Sequence, residues 1–420
     1  MKSFNLKNQE KLQGALRYFL CFAMAFIISF EYGITRPASA SIFLTFFSAK
    51  SLPLAWIATV PLNLFVIHCY NKYLPKWGSL KVLFAFVMMI SLINFVVSSK
   101  VYDYPVLSFL HFIWKDIYIL LMFKQFWSMV HMIMPIQSAK YSYGIISGFG
   151  GLGSMFGGII PGFFASPIGS NNLFLFTAPL YFSFFILYFL MIRISKNSDT
   201  ELLYAKKETK QGYSLKEGFR TVFSSSVLLF IFLTVVFMQF LVGLMDYQIN
   251  HYLQSSFTST DFRTEYLGRL VSIIHVFTTL MQFFLGSLLI HFLGEKKAHF
   301  FIPTVLIING AIMLFHPTLK AVSYAFVAMK SMDFSLLNIL KEMLYIPLTK
   351  EEKFRSKAVI DVFAHRTAKS LAALLIFALS FVFENQLILV LQGFSFLILF
   401  SWIYVVKIRN QNKLVGFVDN

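Results

Sequence analysis

The sequence predicts an all-α integral membrane protein with twelve transmembrane helices in two six-helix bundles. Three observations predict it. The 420 residues are 57% hydrophobic and only 13% charged, with 52 Phe, which leaves too little polar surface for a soluble domain of this size. Apolar runs of about 20 residues recur along the whole chain, and each can cross about 30 Å of hydrocarbon as a helix. Lys and Arg are concentrated in alternate connections, as the positive-inside rule requires of a multi-pass protein.

The spans follow in order. Span one, 15–34, opens behind Lys11 and Arg17. Its apolar run ahead of Ala38-Ser39-Ala40 resembles a cleavable signal. Glu31 and Arg36 between run and site argue against cleavage, and the even helix count needs this segment. Spans two (52–70) and three (80–99) lie between Lys50 and Lys100, separated by Lys72, Lys76 and Lys81. Span four, 105–133, carries Lys115, Asp116 and Lys124. Span five, 142–165, is rich in glycine, and span six, 172–194, ends at Arg193. The only long polar connection, 195–220, then divides the chain into an N-terminal bundle (1–194) and a C-terminal bundle (221–420). Span seven, 224–250, carries Asp246. Spans eight (266–292) and nine (298–316) flank Lys296 and Lys297. Spans ten (320–348) and eleven (356–382) flank Lys350, Lys353, Arg355 and Lys357, and span twelve, 386–407, ends at Lys407. The two termini and the even-numbered connections hold 24 Lys and Arg, the odd ones 6. Both termini and the linker 195–220 are therefore expected in the cytoplasm.

The halves carry a weak repeat. Lys124 and Lys140 are echoed by Lys341 and Lys357 at a shift of 217, and Glu31-Tyr32 by Asp246-Tyr247 at 215. Two six-helix halves of one topology, related by an axis along the membrane normal, are the pattern of the major facilitator fold.

Ionisable groups at membrane depth are costly unless paired or facing water, and they point to function by default. Here they concentrate in 333–370. Residues three, four, seven or eleven apart share a helix face. Lys330, Asp333 and Lys341 therefore line one side of span ten, Asp361, His365 and Lys369 one side of span eleven, and Lys124, Trp127 and His131 one side of span four. Pairing alone accounts for Lys115-Asp116. Lys330 with Asp333, and His365 with Asp361 or Lys369, are also spaced for pairing. Lys124, Lys341, Arg366 and Lys369 have no one-to-one partner in the sequence, and such a surplus of cations suits an anion bearing phosphates or carboxylates.

Other classes are excluded. The net charge of +17 lies in short connections rather than on one face of a soluble domain, so nucleic acid is not expected. Two cysteines in apolar segments form no disulfide framework, and nothing has metal-ligand spacing. The glycine-rich run 144–158 follows no strand and lacks the Gly-Lys-Ser/Thr ending of a phosphate loop. It reads instead as close helix packing. No Ser-His-Asp or Cys-His arrangement emerges, so an enzyme is not expected, and no cofactor is implied.

Segment 341–370, with Lys341-Glu342-Met343, Tyr345-Ile346-Pro347-Leu348, Lys357-Ala358, Ile360-Asp361-Val362, Arg366 and Lys369-Ser370, resembles the nucleotide transporter (ATP/ADP translocase) family of plastids and intracellular bacteria. Residues 126–158 and 36–56 are similar to further family blocks. The resemblance implies exchange of ATP for ADP with phosphate, or nucleotide import with protons, by alternating access. It implies substrate-binding cations at Arg36, Lys341, Arg366 and Lys369, to which Lys124 is added here. Glu31, Asp246, Asp333, Glu342 and Asp361 are the candidates for coupling or gating. The family has a Lys-Asp pair where this chain has Ser39-Ala40, and a Glu where it has Gln125. Another organic anion or phosphorylated metabolite is the alternative substrate, and a transport-inactive receptor or assembly partner the alternative role. The expected setting is a bacterial inner membrane, with a monomer in the lipid bilayer, protons or phosphate as co-substrate, and a site near midplane between the halves.

Overall fold

The structure is a computed structural model that describes residues 2–133, 136–195, 215–384 and 386–411. The linker 196–214 and the Lys140 side chain lie outside the described residues. Among the described residues every regular element is helical, and eleven helices are long and apolar enough to cross a membrane.

The helices are α1 (Lys2–Phe46), α2 (Leu52–Trp77), α3 (Ser79–Lys100), α4 (Val106–Ile133), α5 (Ile136–Ile168), α6 (Thr177–Ser195), α7 (Leu215–Ser224), α8 (Ser226–Ser256), α9 (Thr260–Leu280), α10 (Gly286–Phe315), α11 (Leu319–Met332), α12 (Asn338–Tyr345), α13 (Lys350–Lys357), α14 (His365–Val382) and α15 (Leu387–Gln411). Three π turns interrupt them, at Met281–Leu285, Asp333–Leu337 and Ala358–Ala364. α11 and α12 run on through the second of these as span ten of the sequence reading. α9 runs on through the first and breaks inside α10 at Gly294, where spans eight and nine meet.

Among the described residues three glycines adopt positive φ, and each marks a reversal. Gly78 (φ 76, ψ 158) precedes α3, and Gly294 (φ 72, ψ 161) divides α10. The two lie 216 positions apart. The sequence repeat thus reappears as one backbone conformation, open to glycine but strained for an L residue.

By contacts the chain forms two compact units. The first comprises Met1–Phe47, Ala58–Gln211 and Ser259–Val276, the second Ser48–Ile57, Gly212–Thr258 and Phe277–Asn420. In the first unit α1 lies along α5 at backbone contact. A Cβ at Gly33 would meet the Ser154 carbonyl at 2.8 Å, and one at Gly153 or Gly157 would strike the carbonyls of Phe26 or Phe30. The expected role of the glycine run, close helix approach, is what these glycines do. Leu20, Met24, Ile28, Tyr118, Phe126 and Tyr181 centre its apolar core. In the second unit Thr318 caps α11 by accepting from the Ala321 amide at 3.3 Å. Gly243 of α8 gives similar room to Ala372 of α14.

Candidate functional site

The second unit gathers most of the ionisable residues singled out in the sequence. Asp246 sits buried on α8, among residues apolar enough to span the membrane. Lys330 of α11, 3% exposed, reaches its carboxylate at 3.0 and 3.1 Å. Lys369 of α14 approaches the same carboxylate at 3.6 Å but keeps 43% of its side chain exposed. One carboxylate therefore faces two ammonium groups in unlike surroundings. The first is locked in the interior and the second remains open to solvent.

Lys330 does not pair with Asp333 as its spacing suggested. Asp333 opens the π turn Asp333–Leu337 but itself keeps α-helical angles, its amide bonding the Met329 and Lys330 carbonyls, so it stays one turn from Lys330 while that lysine reaches across to Asp246. Asp333 accepts instead from Gln239 of α8 at 2.8 Å. Asp361 likewise lies within a π turn, Ala358–Ala364, and holds Lys341 at 2.8 Å. π turns of this kind recur at functional sites. Glu342 pairs with Lys357 at 3.1 Å, both side chains largely exposed. Arg366 is exposed and forms no ion pair among the described residues. Lys369, Lys330, Lys341 and Arg366 all lie within electrostatic reach of His365. Four cations thus converge on one region holding the carboxylates Asp246, Asp333 and Asp361. The cationic surplus needed to attract an anion is present within a single unit.

The first unit places its candidates differently. Arg36 lies over the Tyr32 ring at 5.8 Å. Lys124 donates to Asn71 Oδ1 at 2.7 Å and stands 4.8 Å over the Tyr70 ring. Glu31, fully buried, sits at a meeting point of hydroxyls from α1, α4 and α6. Its Oε1 accepts from Thr35 (2.6 Å), Tyr118 (2.8 Å) and Thr177 (2.9 Å), and its Oε2 from Tyr181 (2.7 Å). Lys115 and Asp116 pair with each other at 3.1 Å, as expected of a structural pair.

The two positions that depart from the family pattern are both occupied internally. Gln125, 3% exposed, accepts from the Tyr70 hydroxyl and donates to Tyr188 at 2.9 Å and Ser79 Oγ at 2.5 Å. Ser39, 2% exposed, bonds His111 Nδ1 at 3.1 Å. Sequence reasoning missed His111, Asn94 and Gln239. The signal was available, because each is a polar residue inside an apolar run. The π turns left no such trace.

The family described as TLC ATP/ADP transporter matches residues 96–412. The ADP,ATP carrier protein 1 of Chlamydia pneumoniae is 25% identical over 195 residues, covering 42% of this chain and 38% of that protein. Its namesake in Chlamydia trachomatis is 25% identical over 184 residues, covering 39% and 35%. The chain thus spans well under half the length of these relatives. Among solved structures, the nucleoside transporter NupG superposes with a TM-score of 0.59 at 14% identity, covering 94% of this chain and 99% of that one. A peptide transporter of the POT family in complex with a thioalcohol conjugated peptide gives 0.63 at 12%, covering 95% and 96%. A D-xylose-proton symporter gives 0.59 at 12%, covering 92% and 96%. These likenesses show the fold, which is that of major facilitator transporters.

Proposed function

Since the chain belongs to the TLC ATP/ADP transporter family, we propose that it moves a nucleotide across the membrane by alternating access, in exchange or with a coupled ion. The observation that carries this reading is the second unit's cation cluster. Lys369 is exposed and Lys341 partly buried, and each is held by a carboxylate that a phosphate can displace. Arg366 adds a planar donor without a competing ion pair among the described residues, suited to bidentate phosphate contact. Asp246 and Asp361 hold these lysines while substrate is absent, so they serve as gating pairs. Arg36 and Lys124 supply further positive charge from the first unit, and Asp333 and Glu342 tune the second. The setting we propose is a bacterial inner membrane, with the chain as a monomer, both termini cytoplasmic and protons or phosphate as co-substrate.

Uptake of labelled nucleotides into vesicles containing the purified chain tests the reading, with Lys341→Ala and Lys369→Ala alongside. Nucleotide uptake that either substitution abolishes is expected. No uptake from a panel of nucleotides and anionic metabolites, with both variants indistinguishable from the parent, refutes it. One observation favours a second reading, a different phosphorylated or organic anion. The positions where the family has Lys-Asp and Glu are here Ser39-Ala40 and Gln125, and Ser39 and Gln125 are tied into internal hydrogen bonds. Uptake of such an anion and not of nucleotides, still lost in Lys369→Ala, selects it.

A further inference from the structure

We propose that Glu31 is a proton-binding site in the first unit, the terminus of a one-way hydrogen-bond chain that begins at Ser39. The proposal deepens the transport reading, on which its coupling role rests, by naming the ion and the residue that holds it.

The chain runs through buried groups only. Ser39 Oγ lies 3.1 Å from His111 Nδ1, and His111 Nε2 lies 3.2 Å from Asn94 Oδ1. Asn94 Nδ2 donates to Thr177 Oγ1 at 2.9 Å, and Thr177 Oγ1 donates to Glu31 Oε1 at 2.9 Å. Ser39, His111, Asn94 and Thr177 are each at most 2% exposed. The direction is fixed from the far end. An ionised carboxylate only accepts, so Thr177 must donate to it and accept from the Asn94 amide. The Asn94 carbonyl oxygen then accepts from His111, which carries its proton on Nε2. His111 Nδ1 in turn accepts from the Ser39 hydroxyl. Every donor points toward Glu31.

An ionised carboxylate in hydrocarbon costs several kcal/mol unless it is compensated. Among the described residues no Lys, Arg or His nitrogen lies within ion-pair distance of Glu31. Hydroxyl dipoles alone stabilise the charge, and they come from α1, α4 and α6. The compensation therefore holds only while those helices keep this arrangement. A proton is the small ligand that replaces it. Glu31 Oε1 already accepts three hydrogen bonds and Oε2 only one, so Oε2 is the atom with room for a proton. Uptake converts the carboxylate to the neutral acid, with the proton taken from hydronium and a water left behind. The new O–H donates to Tyr181 Oη once that hydroxyl turns away, and release reverses the step.

The titratable and charged groups around this point are Tyr118 and, through the chain, His111 from α4, Tyr181 from α6, and Tyr32 and Arg36 on α1 itself. Lys115, one turn beyond His111, is paired with Asp116. α5 presents Gly150, Gly153, Ser154 and Gly157 to this stretch of α1. Among the described residues the partners of Glu31 are hydroxyls rather than cations, and Arg36 lies over the Tyr32 ring at 5.8 Å.

Infrared difference spectra of the full chain in lipid vesicles, acid minus alkaline, test proton binding without any transport. The carbonyl band of a protonated carboxylic acid is expected to appear in that difference and to be lost in Glu31→Gln. Tyr181→Phe, which keeps the ring and removes the acceptor, is expected to shift the midpoint of that band. A band that persists in Glu31→Gln, or a midpoint unmoved by Tyr181→Phe, overturns the proposal. The second variant decides if the first fails to fold. Coupling is read separately, with labelled ATP as the probe. Glu31→Gln is expected to lose acceleration by an imposed proton gradient. A parent protein indifferent to the gradient overturns the coupling role. A parent that moves no nucleotide defeats the transport reading instead, and the infrared result still decides the proton site.

Discussion

The two lysines that share Asp246 should prove energetically unequal, and a double-mutant cycle measures the inequality. Lys330 is 3.0 Å from Asp246 Oδ1 with 4% of its side chain exposed. At an effective dielectric of about 20 that pair attracts by about 5 kcal/mol before desolvation. Removing one partner strands a buried charge at a cost of about 3–5 kcal/mol. Lys369 stands 3.6 Å away with 43% of its side chain exposed. In a water-like dielectric of about 80 the same law gives about 1 kcal/mol, within the range of exposed ion pairs. Asp246→Asn should therefore lower the unfolding free energy by about 3 kcal/mol or more. Adding Lys330→Met should restore most of that loss, because an apolar residue in place of a buried charge is often neutral. Adding Lys369→Met should show a coupling of only about 1 kcal/mol or less, as exposed ion pairs do. Reversible unfolding in mixed detergent micelles reads all six proteins: the parent, the three single variants and the two double variants. Equal coupling for the two lysines, or stronger coupling to Lys369, refutes the reasoning that assigns Lys330 to the scaffold and Lys369 to substrate.

Three further outcomes follow from the geometry. Gln125→Glu, which reinstates the family's residue, should destabilise rather than restore function. A carboxylate cannot donate to the Ser79 carbonyl, which Gln125 Nε2 reaches at 3.3 Å, and it brings a charge to a position 3% exposed, so about 1–3 kcal/mol of stability should be lost; a thermal shift equal to or above the parent's contradicts this. Gly157→Leu should abolish the folded species on size exclusion, since a Cβ there already strikes the Phe30 carbonyl, whereas Gly144→Ala, with open space around it, should elute as the parent does. Glu384 accepts from Lys50 at 2.5 Å, and this bond and the lysine's charge hold its carboxyl below the usual carboxylate range. The small stabilisation is thus present above the ordinary Glu value and fades as pH falls through the lowered one. Glu384→Gln should flatten that acid limb of thermal stability while changing little at neutral pH.

The apolar runs and the fold were legible because hydrocarbon admits only helices that bond their own backbone. Positions within the spans were less legible. Gly78 and Gly294 look like any other glycine until their matching backbone angles show them as equivalent turns. The Lys330–Asp333 spacing indicated an intrahelical pair, but tertiary packing brings Asp246 of α8 against Lys330 and Gln239 against Asp333 instead. Lys341, Lys369, Asp246 and Asp361 were found because charge at membrane depth is rare. The hydroxyls and amides around Glu31 and Gln125 escaped notice, since neutral polar residues are tolerated in spans for many reasons.

The internal repeat gives these differences a direction. Glu31 and Asp246 occupy corresponding places, 215 positions apart, yet they are neutralised in opposite ways. Asp246 is held by ammonium groups, one of them exposed. An anion arriving there finds cations that it can draw away, and the carboxylate then serves as its competitor. Glu31 is held by hydroxyls. An anion arriving there finds no cation to take, whereas a proton finds an acceptor already oriented. Replacing Ser39 by Lys would place an ammonium at the head of the chain ending at Glu31, where His111 Nδ1 can only accept from it. On the two proposals together, the neutral residues that depart from the family pattern are what keep the first unit a proton site while the second keeps the phosphates. Ser39→Lys should then abolish the response to a proton gradient while leaving the second unit's cations in place. Retention of that response in Ser39→Lys would break the link between Ser39 and Glu31.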